Sequence, residues 1–422
     1  MKFAFITPRY GAEFNTGAEH ACRLLAEQIA KRHDVDVLTT TARDSATWKN
    51  EYAEGSDRVR GAFVRRFAVS TMPEQSAFTD LARRLREGPR YRADELNWLR
   101  HVGPWSSGLL EHIKRQHRSY DALVFFGLWH PLTVNGLEAA PERSLLFPHL
   151  QLRPELRFEL WADVLSTPRA IGYFSSSERK LVHSYVGVVP QFEEVIGIGV
   201  DPPPQQAYPR HQQDPADVIS ADDSANGEDV LEESYLEGRG VPFRRRHRLY
   251  DNFALYGGRV EPDNGCEEML EYFDSFASTR SEEMGLVLMG VKMMTIPEAP
   301  YLRLAGVLPD RERMTAYEAA AVTIAPTSED LLSQSLLESL AVGTPVLANG
   351  SNAASVEHCR RANAGLYYSN REEFVGALTE LRARSLRERL GENGRRYIRH
   401  HHQWDAVIGR FERLVGKLRR TP

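Results

Sequence analysis

Two acids, Asp330 and Glu338, stand with seven residues between them in the run Ala325-Pro326-Thr327-Ser328-Glu329-Asp330-Leu331-Leu332-Ser333-Gln334-Ser335-Leu336-Leu337-Glu338, which leads on to Gly343-Thr344-Pro345-Val346-Leu347. The pattern predicts a buried strand ending at Pro326, a polar loop, a helix beginning near Ser335, a stop at Gly343 and a second strand. A helix start placed this way faces a ligand crevice. Its backbone N–H groups and dipole favour an anion, and the hydroxyls of Ser333 and Ser335 add donors, so a phosphate is the natural occupant. Glu338 lies among leucines, where an ionised carboxylate needs hydrogen-bond donors, and a ribose diol supplies two.

A second run, Tyr256-Gly257-Gly258-Arg259-Val260-Glu261-Pro262-Asp263-Asn264-Gly265, follows another apolar stretch. The Arg259 fork can hold two phosphate oxygens without losing its charge at neutral pH. Lys292, after Gly290, has two readings, one in the same crevice and one as a solvated loop residue. Towards the N-terminus, Gly17 in Thr16-Gly17-Ala18-Glu19 permits close backbone approach to a ligand. His149, in Phe147-Pro148-His149-Leu150, follows a buried strand and can meet a sugar hydroxyl or orient an acceptor.

The elements that must hold these residues follow a strand-and-helix rhythm. Apolar runs predict strands at Lys2 to Thr7, Val35 to Thr40, Phe63 to Phe67, Ala122 to Phe126, Ser144 to Phe147 and Ala170 to Phe174, with Ser175 and Glu178 at capping-box spacing for the next helix. From Asp201 to Gly240 the chain turns polar and acidic, too poor in apolar residues to offset its ordering entropy. The rhythm then restarts with strands at Phe253 to Tyr256, Leu286 to Met289, Val322 to Ala325 and Val346 to Ala348. The fold class expected is therefore α/β, with two doubly wound Rossmann-like domains and an interdomain cleft. The expected boundaries are 1–200 for an acceptor-side domain, 201–248 for a linker with an acidic insertion, 249–395 for a nucleotide-sugar-binding domain, and 396–422 for a C-terminal helix crossing back to the first domain.

Composition narrows the function class. The 422 residues are 42% hydrophobic and 26% charged, with a formal charge of −5, so no overall basic field marks a nucleic-acid binder. The cysteines Cys22, Cys266 and Cys359 are odd in number and widely spaced, which fits neither a disulfide framework nor a zinc site. No run approaches the length of a membrane span. A cytoplasmic place is expected. The locally basic stretch from Thr79 to Tyr120 has two readings, a peripheral contact with the inner membrane face or a solvated helix face. His400-His401-His402 reads as solvated surface.

Together, Asp330-x7-Glu338 with its small-residue turn, and the loop carrying Gly258 and Arg259, resemble the donor motifs of family 4 retaining glycosyltransferases with the GT-B fold. The resemblance implies that Asp330 contacts donor-sugar hydroxyls, that Glu338 contacts the nucleotide ribose, and that Arg259 neutralises the leaving diphosphate. It also implies that His149 lies near the reacting carbon, and that Gly17, Gly258, Ser333, Gln334 and Ser335 line the donor. The chain departs from the family at two positions: Asp330 stands where a Glu is usual, and Asn264 where a Lys is usual. The resemblance further implies transfer of a sugar from a UDP- or GDP-sugar to a hydroxyl acceptor (a glycan, glycolipid or small aglycone) with no metal, cofactor or nucleic acid. Two rivals are a catalytically impaired nucleotide-sugar-binding protein or partner subunit, and a GT-B enzyme of different chemistry such as a phosphorylase.

Overall fold

A computed structural model of the chain describes all residues except 15–16, 72–74, 151–152, 202–239, 250–251, 281–283, 329–331, 333 and 421–422. The chain divides into two compact units, one built chiefly from Met1–Gly199 with His401–Pro422, the other from Val200–Ser328 with Ser333–His400.

Among the described residues, the first unit holds strands β1 (Lys2–Ile6), β2 (Asp34–Thr40), β3 (Gly55–Val59), β4 (Ala62–Phe67), β5 (Ala122–Phe126), β6 (Ser144–Phe147), β7 (Ala170–Tyr173) and β8 (Phe192–Val195). They form one sheet in the order β3-β4-β2-β1-β5-β6-β7-β8, parallel except for the β3–β4 pair. Its centre is apolar on both faces, as a parallel sheet under helices requires, and every residue of β5 is buried. The helix Trp404–Arg420 closes one face: Phe411 packs against Phe3 and Phe5 with ring centroids 5.4 and 6.2 Å away. Arg410 Nε donates to the Ile196 carbonyl at 2.9 Å. A Cβ on Gly199 would lie 2.3 Å from the Trp404 ring, so only glycine allows this approach. His402 is a correction to the expected solvated histidine run. It is 5% exposed, and its Nδ1 lies 3.0 Å from the Ile198 carbonyl, because it falls in the break between Arg384–His401 and Trp404–Arg420.

The second unit holds β9 (Phe253–Gly257), β10 (Gly285–Met289), β11 (Leu302–Gly306), β12 (Val322–Ala325), β13 (Val346–Asn349) and β14 (Gly365–Tyr368). All are parallel, in the order β11-β10-β9-β12-β13-β14. This is the doubly wound arrangement, with chain direction across the sheet reversing between β9 and β12. Residues 241–247, placed in the linker by sequence, form the helix Val241–His247 of this unit. Phe243 is buried with Phe253 and Tyr317, and Arg244 donates to the Ala319 carbonyl at 2.5 Å.

Candidate functional site

In a doubly wound sheet the ligand crevice lies beyond the carboxyl ends of the strands where the order reverses. In the second unit those ends belong to β9 and β12, so the loops after Gly257 and Ala325 define the place. Both donor motifs read from the sequence begin there.

Glycines bring the loops after β9 and β10 into backbone contact. Gly258 donates its N–H to the Met289 carbonyl at 2.9 Å, and a Cβ on Gly290, whose φ is +138°, would lie 1.8 Å from the Gly258 carbonyl oxygen. Val260 then donates to the Val291 carbonyl at 2.8 Å and accepts from Met293 N–H at 2.9 Å. This bridge sets Lys292, which is exposed, beside the loop that carries Arg259.

The Arg259 backbone is held from beneath. Its carbonyl accepts from the Tyr256 hydroxyl at 2.7 Å and from Asn264 Nδ2 at 2.9 Å, while its guanidinium donates to Glu261 Oε1 at 2.8 Å. Burial, with the Cys266 thiol behind it, raises the Tyr256 pKa and keeps the phenol a donor. Asn264 Nδ2 also donates to Glu261 Oε1 at 2.9 Å. In this structure Asn264 is therefore a brace of the loop, fastening its two ends together. Gly265, in the left-handed region at φ +74°, completes the turn. A Cβ there would lie 2.6 Å from the Pro326 carbonyl, which brings the β9 loop against the end of β12.

Beyond β12 the carbonyls are tied down by asparagines that sequence reasoning did not single out. Asn349 donates to the Pro326 carbonyl and Asn352 to the Thr327 carbonyl, each at 3.0 Å. The helix Gln334–Val342 starts one residue before the predicted Ser335, and Gly343 ends it at φ +82°. Glu338 is 6% exposed, and its Oε1 accepts from Arg313 Nη2 at 2.9 Å and from Gln334 Nε2 at 3.2 Å. The Arg313 guanidinium supplies the charge partner that a buried carboxylate needs. Arg313 was missed in the sequence because the helix Asp310–Ala319 lies twenty-five residues away along the chain. Ser335 is half-buried in the first turn. Asp330 and Ser333 lie outside the described residues. Gly258, Arg259, Asn264, Gln334, Ser335 and Glu338 thus share the carboxyl edge of one sheet.

Gly17 and His149 belong to the first unit, whose own reversal lies between β1 and β5. Gly17, at φ +73°, begins the helix Gly17–Ile29, and Glu19 in its first turn accepts from Arg9 Nε and Nη2 at 3.0 and 2.8 Å. Burial is the largest influence on the Glu19 carboxyl and raises its pKa, but the Arg9 charge and hydrogen bonds, with the His130 charge and a backbone hydrogen bond, together bring it below the ordinary value. His130, at the start of the helix after β5, was missed although it precedes Pro131 and follows the apolar run of β5. Its Nδ1 lies 2.9 Å from the Gly103 carbonyl, its ring meets Trp48 edge-on, and burial lowers its pKa. His149, in the turn after β6, has a left-handed conformation at φ +48°, is 9% exposed, and meets the Phe174 ring edge-on at 6.0 Å. A polar cavity of about 520 Å³, lined by Lys2, Asp36, Phe63, Arg65, Glu111 and Tyr120 among others, runs along β2 and β4 and reaches the amino end of β1.

Residues 277–413 match the family model described as glycosyl transferase-like. Over the whole chain, the sucrose-phosphate synthase of Thermosynechococcus elongatus superimposes with a TM-score of 0.65 at 15% identity, covering 99% of this chain and 98% of that one. Anabaena HepE, solved in complex with UDP and glucose, gives 0.65 at 11% identity and 99% coverage of both chains. WaaG, a glycosyltransferase involved in lipopolysaccharide biosynthesis, gives 0.60 at 14% identity, covering 98% of this chain and all of that one.

The fold is GT-B. Two Rossmann-like parallel sheets build it, and the glycosyl transferase-like match falls mainly on the second, where the Glu338 helix lies; the chain is an enzyme of glycosyltransferase type. Among the described residues no three His, Cys, Asp or Glu side chains converge as a metal-ligating group, and no helix is long and apolar enough to cross a membrane. Several arginines of the basic stretch on this GT-B scaffold are engaged in ion pairs: Arg83 with Asp80, Arg84 with Asp94, Arg86 with Glu155 and Arg92 with Asp163.

Proposed function

We propose that this chain is a family 4 retaining glycosyltransferase that moves a sugar from a nucleotide-diphosphate sugar to a hydroxyl acceptor, without a metal ion. The observation that carries the reading is the meeting of two motifs at the carboxyl edge of the second sheet, where the Gly265 backbone touches Pro326. One motif brings a cation, Arg259, and the other a helix start followed by the buried acceptor Glu338. A diphosphate suits the first and the helix N-terminus, and a ribose diol suits Glu338. HepE, with the same fold, was solved with UDP and glucose, which supports a UDP-sugar as donor.

In this mechanism Glu338, paired with Arg313, accepts from the ribose hydroxyls. Arg259 and the N–H groups at the start of Gln334–Val342 stabilise the diphosphate as the glycosidic C–O bond breaks, and such preorganised donors contribute about 3–4 kcal/mol each to a transition state. The acceptor hydroxyl attacks from the face the diphosphate leaves, and the diphosphate takes its proton, which gives retention without a carboxylate nucleophile. Asp330 is assigned to the sugar hydroxyls and His149 to the sugar or acceptor near the reacting carbon. Cytoplasmic localisation belongs to the same reading.

The test is a thermal-shift screen with UDP, GDP, ADP, TDP and their sugar conjugates, without added metal. A ligand bound only by the folded state raises its apparent stability. A selective shift that disappears in Glu338→Ala establishes the donor site, and the anomeric configuration of the product then settles retention. A folded protein shifted by none of these ligands, with or without candidate acceptors, would overturn the reading.

A further inference from the structure

Glu178 is fully buried, and its surroundings differ from those of an ordinary helix cap. It sits in the first turn of the helix Ser176–Leu181, where its own N–H donates to the Ser175 side chain at 3.1 Å, as its capping-box spacing predicts. In a simple capping box the glutamate carboxylate reaches back only to the cap residue. Here Glu178 Oε2 accepts from the Phe174 N–H at 2.8 Å, at the end of β7, and Oε1 accepts from the Leu150 N–H at 3.0 Å, in the turn after β6. The His149 backbone N–H adds a third hydrogen bond. The carboxylate is thus a clasp between the ends of two neighbouring strands. The Phe174, Leu150 and His149 backbone N–H groups hold it, and the Tyr173 phenol of β7 lies near enough to sense its charge.

A carboxylate in such a place is costly: burial pushes its pKa up to about 7, held from going higher by the Phe174, Leu150 and His149 N–H donors, which favour the charged form. Capping alone does not call for it, since Ser175 already caps the helix. What a carboxylate supplies, and an amide does not, is two oxygens that only accept; a glutamine in the same place would turn an NH2 group towards one of the strand N–H donors. The turn it holds has an uncommon backbone as well. His149 is a non-glycine residue in the left-handed region, a conformation that persists only where its surroundings fix it. The clasp lies on both sides of that residue.

We infer that Glu178 is a positioning residue for His149, its buried carboxylate binding the amides at the ends of β6 and β7 so that the left-handed turn presents the imidazole in one fixed orientation. The inference rests on the proposed role of His149 in the transfer reaction. Glu178 takes no part in chemistry and touches no substrate; it acts through the turn.

A double-mutant cycle on the full-length enzyme, with the donor found by thermal shift, tests it. Glu178→Gln, His149→Ala and the double variant are compared in kcat and in donor KM. Misplacing a site residue by an ångström costs up to about a hundredfold in rate, so Glu178→Gln is expected to lower kcat by about tenfold or more with donor KM nearly unchanged. In the His149→Ala background the same change is expected to alter kcat by less than about twofold, the non-additivity of groups acting as a unit. Equal losses in the two backgrounds, or no loss from Glu178→Gln where His149→Ala is impaired, overturn the inference and leave the His149 role standing. If His149→Ala retains full kcat, the His149 role itself falls, and the inference with it. Should Glu178→Gln not fold, Glu178→Asp, which keeps both acceptor oxygens on a shorter arm, carries the same cycle.

Discussion

The Arg259 guanidinium donates to Glu261 Oε1 at 2.8 Å, so the cation assigned to the diphosphate rests against a carboxylate two residues along the same loop. Binding a diphosphate exchanges one anionic partner for another. Arg259 is about half exposed and Glu261 is mostly covered, which makes the pair a partly screened one, of the kind that contributes about 0–1 kcal/mol. Glu261→Gln removes the competing charge while keeping an oxygen for Asn264. It is expected to tighten UDP binding by about two- to fivefold in calorimetry, given an interaction of that size. Weaker binding instead would mean that Glu261 aims Arg259 rather than competing for it.

The bridge to Val260 sets a second cation, Lys292, beside that loop. Asn264, where the motif this loop resembles usually has a lysine, is occupied in bracing Arg259 and Glu261. If Lys292 supplies the missing charge, Lys292→Ala lowers kcat by about a hundredfold, the usual loss for one transition-state donor. Asn264→Lys, by the same reasoning, fails to raise kcat, because it removes the brace. Unchanged turnover in Lys292→Ala returns that residue to solvent.

Gly265 carries both a left-handed backbone and a neighbour 2.6 Å from where a Cβ would stand, the Pro326 carbonyl. Gly265→Ala pays the left-handed penalty of about 1–2 kcal/mol and also pushes a backbone oxygen that cannot rotate away. A loss of about 2–4 kcal/mol in urea unfolding is expected, with a weakened UDP thermal shift, since both donor loops meet there. A loss below about 0.5 kcal/mol, typical of an unconstrained surface change, contradicts the close approach.

His358 gives the protein an acid-sensitive point away from the site. Burial, helped by the Arg361 charge, lowers its pKa to about 4, and its Nδ1 lies 2.9 Å from the Tyr397 hydroxyl. The unfolded chain takes up this proton near pH 6.5 and the folded chain only near 4, so the stabilisation is complete above pH 6.5 and fades as the pH falls through that window. Over the full window a shift of this size corresponds to about 3 kcal/mol. The urea midpoint of the wild type should therefore fall more steeply between pH 7 and 4.5 than that of His358→Gln. Parallel curves would show that the folded protein protonates His358 freely.

The fold was legible in the sequence wherever burial wrote it there. The ten strands read from apolar runs are all interior strands of the two sheets. The four that went unread, β3, β8, β11 and β14, are the four edges. An edge strand has one unpaired side and a less covered face, so its residues need not be apolar: β3 is Gly55-Ser56-Asp57-Arg58-Val59, exposed at its first four positions, and β11 exposes Arg303 and Leu304. Ser175 and Glu178 were readable as a cap because both partners are local, but the reach of Glu178 to Leu150 was not, because it depends on β6 and β7 lying side by side. The same holds for Glu338. Its burial followed from the leucines around it, whereas Arg313 comes from a helix that only the sheet order brings near.

The helix Trp404–Arg420 is the last element of the chain, yet it covers Phe3 and Phe5 in the first strand. As the chain leaves the ribosome, the second unit has all its residues available before the first can be covered. The first sheet therefore keeps this part of its apolar face uncovered until a helix that follows the whole second unit in sequence has emerged. For the same reason a cut between the two sheets would separate the first sheet from the helix that covers Phe3 and Phe5.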